Sequence, residues 1–304
     1  MTKPTRSDIH QTVTDAIIKM LDTAQTAGES FPWCRPGVAH SRPTNAHSKQ
    51  RYRGINVITL WATADSANYR SGIFATYKQW QEIGAQVRKG EKAAPIVFYK
   101  SLEVADDNAG DGDSAESGTK TIRMARGYWV FNADQVDGYT LPDIPTVDLT
   151  TRIEHVEQFV DKLAIPITVG GASAFYRPMD DSITMPDRAL FQNTPTSTAT
   201  EGFYGVLCHE IGHASGANHR LARDLTGRFG SQSHAVEEMV AEWISAMLCA
   251  ELSITAQPRA GHAHYIAGWL TVLKNEKGAA MAAAAQASRA VDYLMQLAAR
   301  EVAP

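Results

Sequence analysis

Two histidines four residues apart, with a glutamate directly after the first, stand at His209-Glu210-Ile211-Gly212-His213. In a helix, positions i and i+4 share one face about one turn apart, so both imidazoles can reach a single ion at ~2.0–2.1 Å. Glu210 sits beside them, where a carboxylate can take a proton from an activated water and hand it to a leaving amine. The bland alternative is an ordinary helix with two core histidines, and a third ligand is what separates the two readings. Two residues are candidates. His219 completes the spacing HExxHxxGxxH, with Gly216 turning the chain back towards the ion. Glu238, in VEEMVAEW, is the other; Glu242 stands one turn further on, so one carboxylate can ligate while the other holds a ligand histidine from behind. Met239, Val240, Trp243 and Ile244 make this segment a buried one, and buried paired carboxylates need a cation or hydrogen-bond donors.

Such groups need helices held face to face. Apolar periodicity predicts helices at 201–215 and 234–252, then 262–274 and 278–300, the last built on an alanine run that favours helix and fills space. TTRIEHVEQFVDKLA predicts another helix, and PITVGGASAFYRPMDDSITMP two short strands around the turn PMDD. In zinc peptidases an extended substrate commonly lies along an edge strand above the metal, and residues 181–186 are expected to be that edge. Near the front, residues 7–25 carry Val13, Ile17, Met20 and Leu21 at helical spacing, with Asp8 and Gln11 placed as a capping box. PIVFYKSLEV and KTIRMARGYWVFN, rich in β-branched and aromatic residues, should pair as antiparallel strands. Between them DDNAGDGDSAESG (106–118) has no large apolar residue and reads as a mobile acidic loop. The proline-bearing stretch 134–150 divides the front half from the back.

The formal net charge of -4 conceals a polarity: residues 1–100 hold 14 Lys+Arg against 7 Asp+Glu, whereas residues 136–304 hold 12 against 19. Within 49–100 the cations interleave with rings, among them Tyr52, Tyr69, Tyr77, Trp80 and Tyr99. Cations neutralise phosphates while rings stack on unpaired bases, so the mixture suits a single strand; it equally suits a packed core with a solvated rim. Cys34, Cys208 and Cys249 are too few and too scattered for a disulfide framework and read as buried thiols. No stretch approaches the ~20 uninterrupted apolar residues of a membrane span, and MTKPTRSDIH is not a secretory signal, so a cytoplasmic protein with no membrane partner is expected.

The segment HEIGHASGANHRLARDLTGRFGSQSHAVEEMVAEW resembles the zincin-like metallopeptidase domain of the ArdC-like antirestriction proteins. That family's pattern runs HExxHxxGxxxRLxRD, then Phe-Gly-Ser, then EELVAE, with Met239 here in place of the usual Leu. PW at 32–33, YRGINVITLW at 52–61 and TYKQWQEIGAQVRKGEKAAPIVFYK at 76–100 resemble its N-terminal domain. The resemblance implies an α+β protein of two domains: a small mixed α/β single-stranded DNA-binding domain at 1–140, a linker at 141–150 and a mostly helical zincin-like domain at 151–304. It implies Zn2+, or another divalent ion such as Mn2+, on His209, His213 and Glu238, with Glu242 behind them and Glu210 catalytic, because the family pattern fixes EELVAE and leaves position 219 open. It further implies non-specific binding of single-stranded DNA, with Lys49, Arg51, Arg53, Tyr77, Lys78, Trp80, Lys89 and Lys92 as the expected contacts. The role it implies is antirestriction, the protection of incoming plasmid or phage DNA. The rival expectations are a DNA-associated metalloprotease that cleaves DNA-bound proteins and a binding module whose metal is structural. Three protein ligands with an open position favour an enzyme, four a structural site.

Overall fold

The computed structural model describes residues 6–27, 42–105, 119–142, 149–194, 197–228, 231–254, 262–276 and 278–300. Helix α1 (Arg6–Ala27) turns Ile9, Val13, Ile17 and Leu21 into the core, the stripe its spacing predicts. It begins at Arg6, so positions 8 and 11 lie inside the helix, and Gln11 donates to Asp15 at 2.7 Å.

The first sheet runs β1 (Thr44–Asn45), β2 (Ile73–Ala75), β5 (Thr119–Asn132), β4 (Ala94–Ala105) in spatial order. Its long hairpin is antiparallel from Ala94↔Val130 to Ala105↔Thr119, as the two β-rich runs predict, and the acidic loop expected at 106–118 lies outside the described residues. Helix α2 (Ile55–Ser66) is pinned to β4 by Asn56, whose side chain donates to Val97 O and accepts from Val97 N, both at 2.8 Å. Helix α3 (Tyr77–Glu82), opened by a Thr76–Gln79 capping box, leads into β3 (Gln86–Val87), which pairs with β6 (Val136–Asp137).

Helix α4 (Leu149–Lys162) then leads to a second sheet of β7 (Ile167–Val169), β8 (Phe175–Arg177) and β9 (Ser182–Met185), ordered β7-β9-β8. Residues 181–186 therefore do not form an edge. The turn PMDD pairs β9 with β8 as expected, but residues 167–169 form a third strand, parallel to β9 on its other side, and leave β8 as the edge that faces the next helix. That helix, α5 (Ala199–Ala214), packs on α6 (Gln232–Glu251), followed by α7 (His262–Asn275) and α8 (Ala279–Ala299). The alanine run is a packing face: Ala280, Ala283, Ala284, Ala287 and Ala290 are fully buried.

One apolar cluster unites both halves, with Ile9, Ile55 and Trp61 in the same core as Met247, Leu270 and Val291. Polar contacts reinforce the junction: Arg42 and Arg51 reach Glu251, Arg53 reaches Asp292, and Gly54 N donates to Ser288 Oγ at 2.7 Å. Cys208 and Cys249 are buried free thiols, while Cys34 lies outside the described residues. Among the described residues no helix is long and apolar enough to cross a membrane.

Candidate metal centre

The centre depends on how closely α5 and α6 approach. A Cβ on Gly212 would meet Ala241 Cα and O at 3.2 Å, so a glycine is what lets the two backbones come together at this point. Glu238 on α6 then reaches both histidines of α5: Oε2 lies 3.5 Å from His209 Nε2 and Oε1 3.4 Å from His213 Nε2, with the two Nε2 atoms 3.1 Å apart. His209, His213 and Glu238 thereby bring one ligand atom each within 4.8 Å of one another. Bonds of ~2.0–2.1 Å in a tetrahedral shell would set ligand atoms about 3.4 Å apart, so the trio has the spacing a small divalent cation requires.

Electrostatics point the same way. Burial drives the Glu238 carboxyl upward, yet hydrogen bonds from His209 and His213 more than reverse it and hold the acid well below the usual carboxylate range. Burial would likewise lower His213, and the Glu237 and Glu238 carboxylates overcome it, raising the imidazole to about 9.

A second tier fixes the ligands. Glu242 Oε2 lies 3.5 Å from His209 Nδ1, and Glu237 Oε1 lies 3.1 Å from His213 Nδ1. Arg223 in turn forks onto Glu237 with Nε to Oε2 at 3.0 Å and Nη2 to Oε1 at 2.8 Å, and donates to Gly212 O at 2.6 Å and Ser215 Oγ at 2.8 Å. Gly216 makes room for it, since a Cβ there would lie 3.0 Å from Arg223 Cζ. This differs from the alternative in which Gly216 returns His219 to the ion: His219 is 61% exposed, pairs with Asp181 at 3.3 Å and stands outside the cluster.

Glu210 is buried, and its Oε2 accepts from Tyr176 N on β8 at 3.0 Å. The strand is bolted in place: Tyr176 OH donates to Asp181 Oδ1 at 2.8 Å, and Arg220 grips both Asp181 oxygens at 2.7 and 2.8 Å while donating to Ala214 O at 3.0 Å. The Arg220 guanidinium holds Asp181 below its ordinary range, and burial together with Asp181 pushes the Tyr176 phenol up to about 12. The sequence alone assigns no role to Glu237, Arg223, Arg220 or Tyr176 and gives Asp181 only a place in the expected edge strand, although the RLxRD stretch is the signal that two arginines are placed here.

The residues expected to contact DNA divide into three groups. Arg51, Arg53 and Lys78 line one groove of the first domain, and Lys49 is exposed in the adjoining turn. Lys89 and Lys92 are exposed between β3 and β4, away from that groove, and Tyr77 is exposed with its hydroxyl accepting from Gln86. Trp80 is 0% exposed and donates Nε1–H to Phe131 O at 3.0 Å, so it is a core ring with no face to offer a base.

Fold and site define a zincin-like domain joined to an ArdC-type N-terminal domain. Residues 154–286 match the zincin-like metallopeptidase family and residues 7–131 the N-terminal domain of anti-restriction factor ArdC. The crystal structure of the antirestriction ArdC protein from plasmid R388 in its metal-free form is similar at 34% identity and a TM-score of 0.75, over 96% of this chain and 98% of that one. Its Mn(II)-bound form is similar at 33% identity and a TM-score of 0.74, over 96% and 99%. The chain belongs to the ArdC-like antirestriction family. Protein y4eC of Sinorhizobium fredii, itself uncharacterized, is 43% identical over 96% of this chain and 93% of its own. Two Escherichia coli proteins named DNA primase TraC are 36% and 34% identical over 98% and 95% of this chain, which spans only 20% and 27% of their length. The zincin-like fold, the convergent donors and the Mn(II)-bound relative together suggest a divalent metal.

Proposed function

We propose that the protein binds single-stranded DNA through residues 1–140 without regard to sequence and shields incoming plasmid or phage DNA from restriction in the cytoplasm, while residues 151–304 carry a metallopeptidase centre. The observation that carries the second half is the convergence of two imidazoles and a carboxylate beside a buried, oriented glutamate. His209, His213 and Glu238 would hold Zn2+, with Mn2+ the alternative. The ion supplies Lewis acidity towards water and a peptide carbonyl. Glu237 accepts the Nδ1 proton of His213 and so would turn its Nε2 lone pair towards the ion, while the Glu242 carboxylate, 3.5 Å from His209 Nδ1, faces the other ring from the same side. Tyr176 N–H fixes Glu210, which takes a proton from the attacking water and gives it to the leaving amine. Three protein ligands leave a position open, which favours an enzyme over a structural site.

Membership of the ArdC-like family supports the DNA half of this reading, and so does the kinship to part of two proteins named as DNA primases. The second reading, a DNA-associated metalloprotease whose targets are DNA-bound proteins, is favoured by the same Glu210 geometry. Comparing Glu210→Ala with wild type separates them, in a plasmid-transfer assay under restriction and in a proteolysis assay on DNA-bound protein. Shielding by binding predicts retained protection with lost proteolysis; loss of both would make proteolysis the means of protection.

A further inference from the structure

We propose that single-stranded nucleic acid is bound in the groove between residues 45–53, the start of α3 and the β4–β5 hairpin, with Phe98 and Tyr128 as its stacking platform. The inference rests on the DNA-binding reading above and gives it a place. The groove encloses about 740 Å3, and its described lining includes Arg51, Arg53 and Lys78 but no carboxylate; their partners Glu251, Asp292 and Glu82 stand outside the lining, so a phosphate chain in the groove would meet the three cations in competition with these acids. Alternation along the hairpin, with Ile96 opposite Tyr128 and Phe98 opposite Arg126, puts these four side chains on one face of the sheet. Ile96 and Val130 are buried as an apolar floor, whereas Phe98 is 59% and Tyr128 39% exposed, ring against ring edge-to-face at 6.3 Å. Two large rings left in water beside three cations are what unpaired bases stack on.

Two of the four amides that line the groove are already engaged. Asn56 is consumed by Val97 on both its atoms, and Asn45 accepts from His47 N and Ser48 N while donating to Tyr52 OH and Gln79 Oε1. Neither is left to read a base edge, and ring stacking and phosphate contacts, which tolerate any sequence, supply most of the affinity.

The test measures fluorescence anisotropy of the full chain with a labelled oligo(dT) of about 20 nucleotides, a mixed-sequence strand of the same length and its duplex. Wild type should bind both strands alike within about threefold and at least ~10-fold more tightly than duplex. Phe98→Ala and Tyr128→Ala should each weaken strand binding ~10-fold or more, while Tyr128→Phe, which keeps the ring, and Trp129→Ala, on the opposite face of the strand, should stay within about twofold. Strand binding that survives both ring deletions but falls with Lys89→Ala or Lys92→Ala would overturn the groove and leave the DNA reading intact. A wild type with no preference for single strands would overturn that reading, and the groove with it. A Tyr128→Phe protein as weak as Tyr128→Ala would replace stacking by a hydroxyl contact and overturn the platform.

Discussion

At the scale of single residues, the feature that decides the chemistry is the chain Arg223–Glu237–His213. A guanidinium with four short bonds cannot swing, so Glu237 stays on His213 Nδ1 and the other ring nitrogen stays on the cluster. Glu237→Gln keeps the shape and removes the charge, and should lower divalent-metal affinity ~10–100-fold by calorimetric titration. His209→Ala should abolish stoichiometric metal uptake, and Glu238→Ala should weaken it by at least ~10-fold. The metal-free protein should also show a pH signature. His213 is raised above its ordinary value to about 9, so its proton stabilises the fold fully below about pH 6.5 and that contribution is lost as pH climbs through 9. A cation competes for the same site, so apparent metal affinity should rise from pH 6.5 to 9, and denaturation of the loaded protein should lack the alkaline decline of the metal-free one. Much of this centre was legible from HExxH and the two glutamates one turn apart. Its outer tier was not, because Arg223 reaches Glu237 only through the turn that follows Gly216, and motif spacing alone cannot tell such a turn from one that would send His219 back to the ion.

At the scale of elements, the contact of α5 with α6 sets the metal geometry, and Gly212 sets the contact. Gly212→Ala gains helix propensity but drives a methyl into the Ala241 backbone, so it should cost ~1–3 kcal/mol in denaturant unfolding and reduce metal affinity in parallel. A more stable variant with unchanged affinity would mean that the helices yield freely at this point. Long elements were readable from the sequence because many residues repeat one period: α1, α5, α6, α8 and the β4–β5 hairpin fall where the pattern puts them. Elements of two or three residues hold no period. That is why β7 was not separated from its neighbours and why residues 181–186 seemed an edge when they form the middle strand. The hairpin also shows the cost of reading composition by windows, since Tyr128 lies beyond 49–100 and Phe98 counts as a platform only once strand register places them together.

At the scale of the whole molecule, the basic front and acidic back are fastened to each other where cations of the N-terminal half meet carboxylates on α6 and α8. Burial divides these pairs into two kinds. Arg42 and Glu251 are almost wholly buried, so Glu251→Gln leaves the buried guanidinium with the more distant Asp292 carboxylate at 3.7 Å and should destabilise the protein by ~3 kcal/mol in chemical denaturation. Arg53 lines the groove and is largely exposed, so its pair with Asp292 contributes little to stability, and in the proposed groove that carboxylate would compete with phosphate for the same guanidinium. Asp292→Ala also removes a second counter-charge 3.7 Å from the buried Arg42, so it should lower the unfolding midpoint modestly, and by less than Glu251→Gln does. It should raise affinity for single strands several-fold at moderate salt, because the freed Arg53 becomes one more phosphate contact, and should steepen the logarithmic salt dependence by about 0.7. Measured against wild type by anisotropy across a salt series, a weaker Asp292→Ala protein would mean that the carboxylate orients Arg53 for DNA. In that case the junction between the halves would be part of the binding site and not a brake upon it.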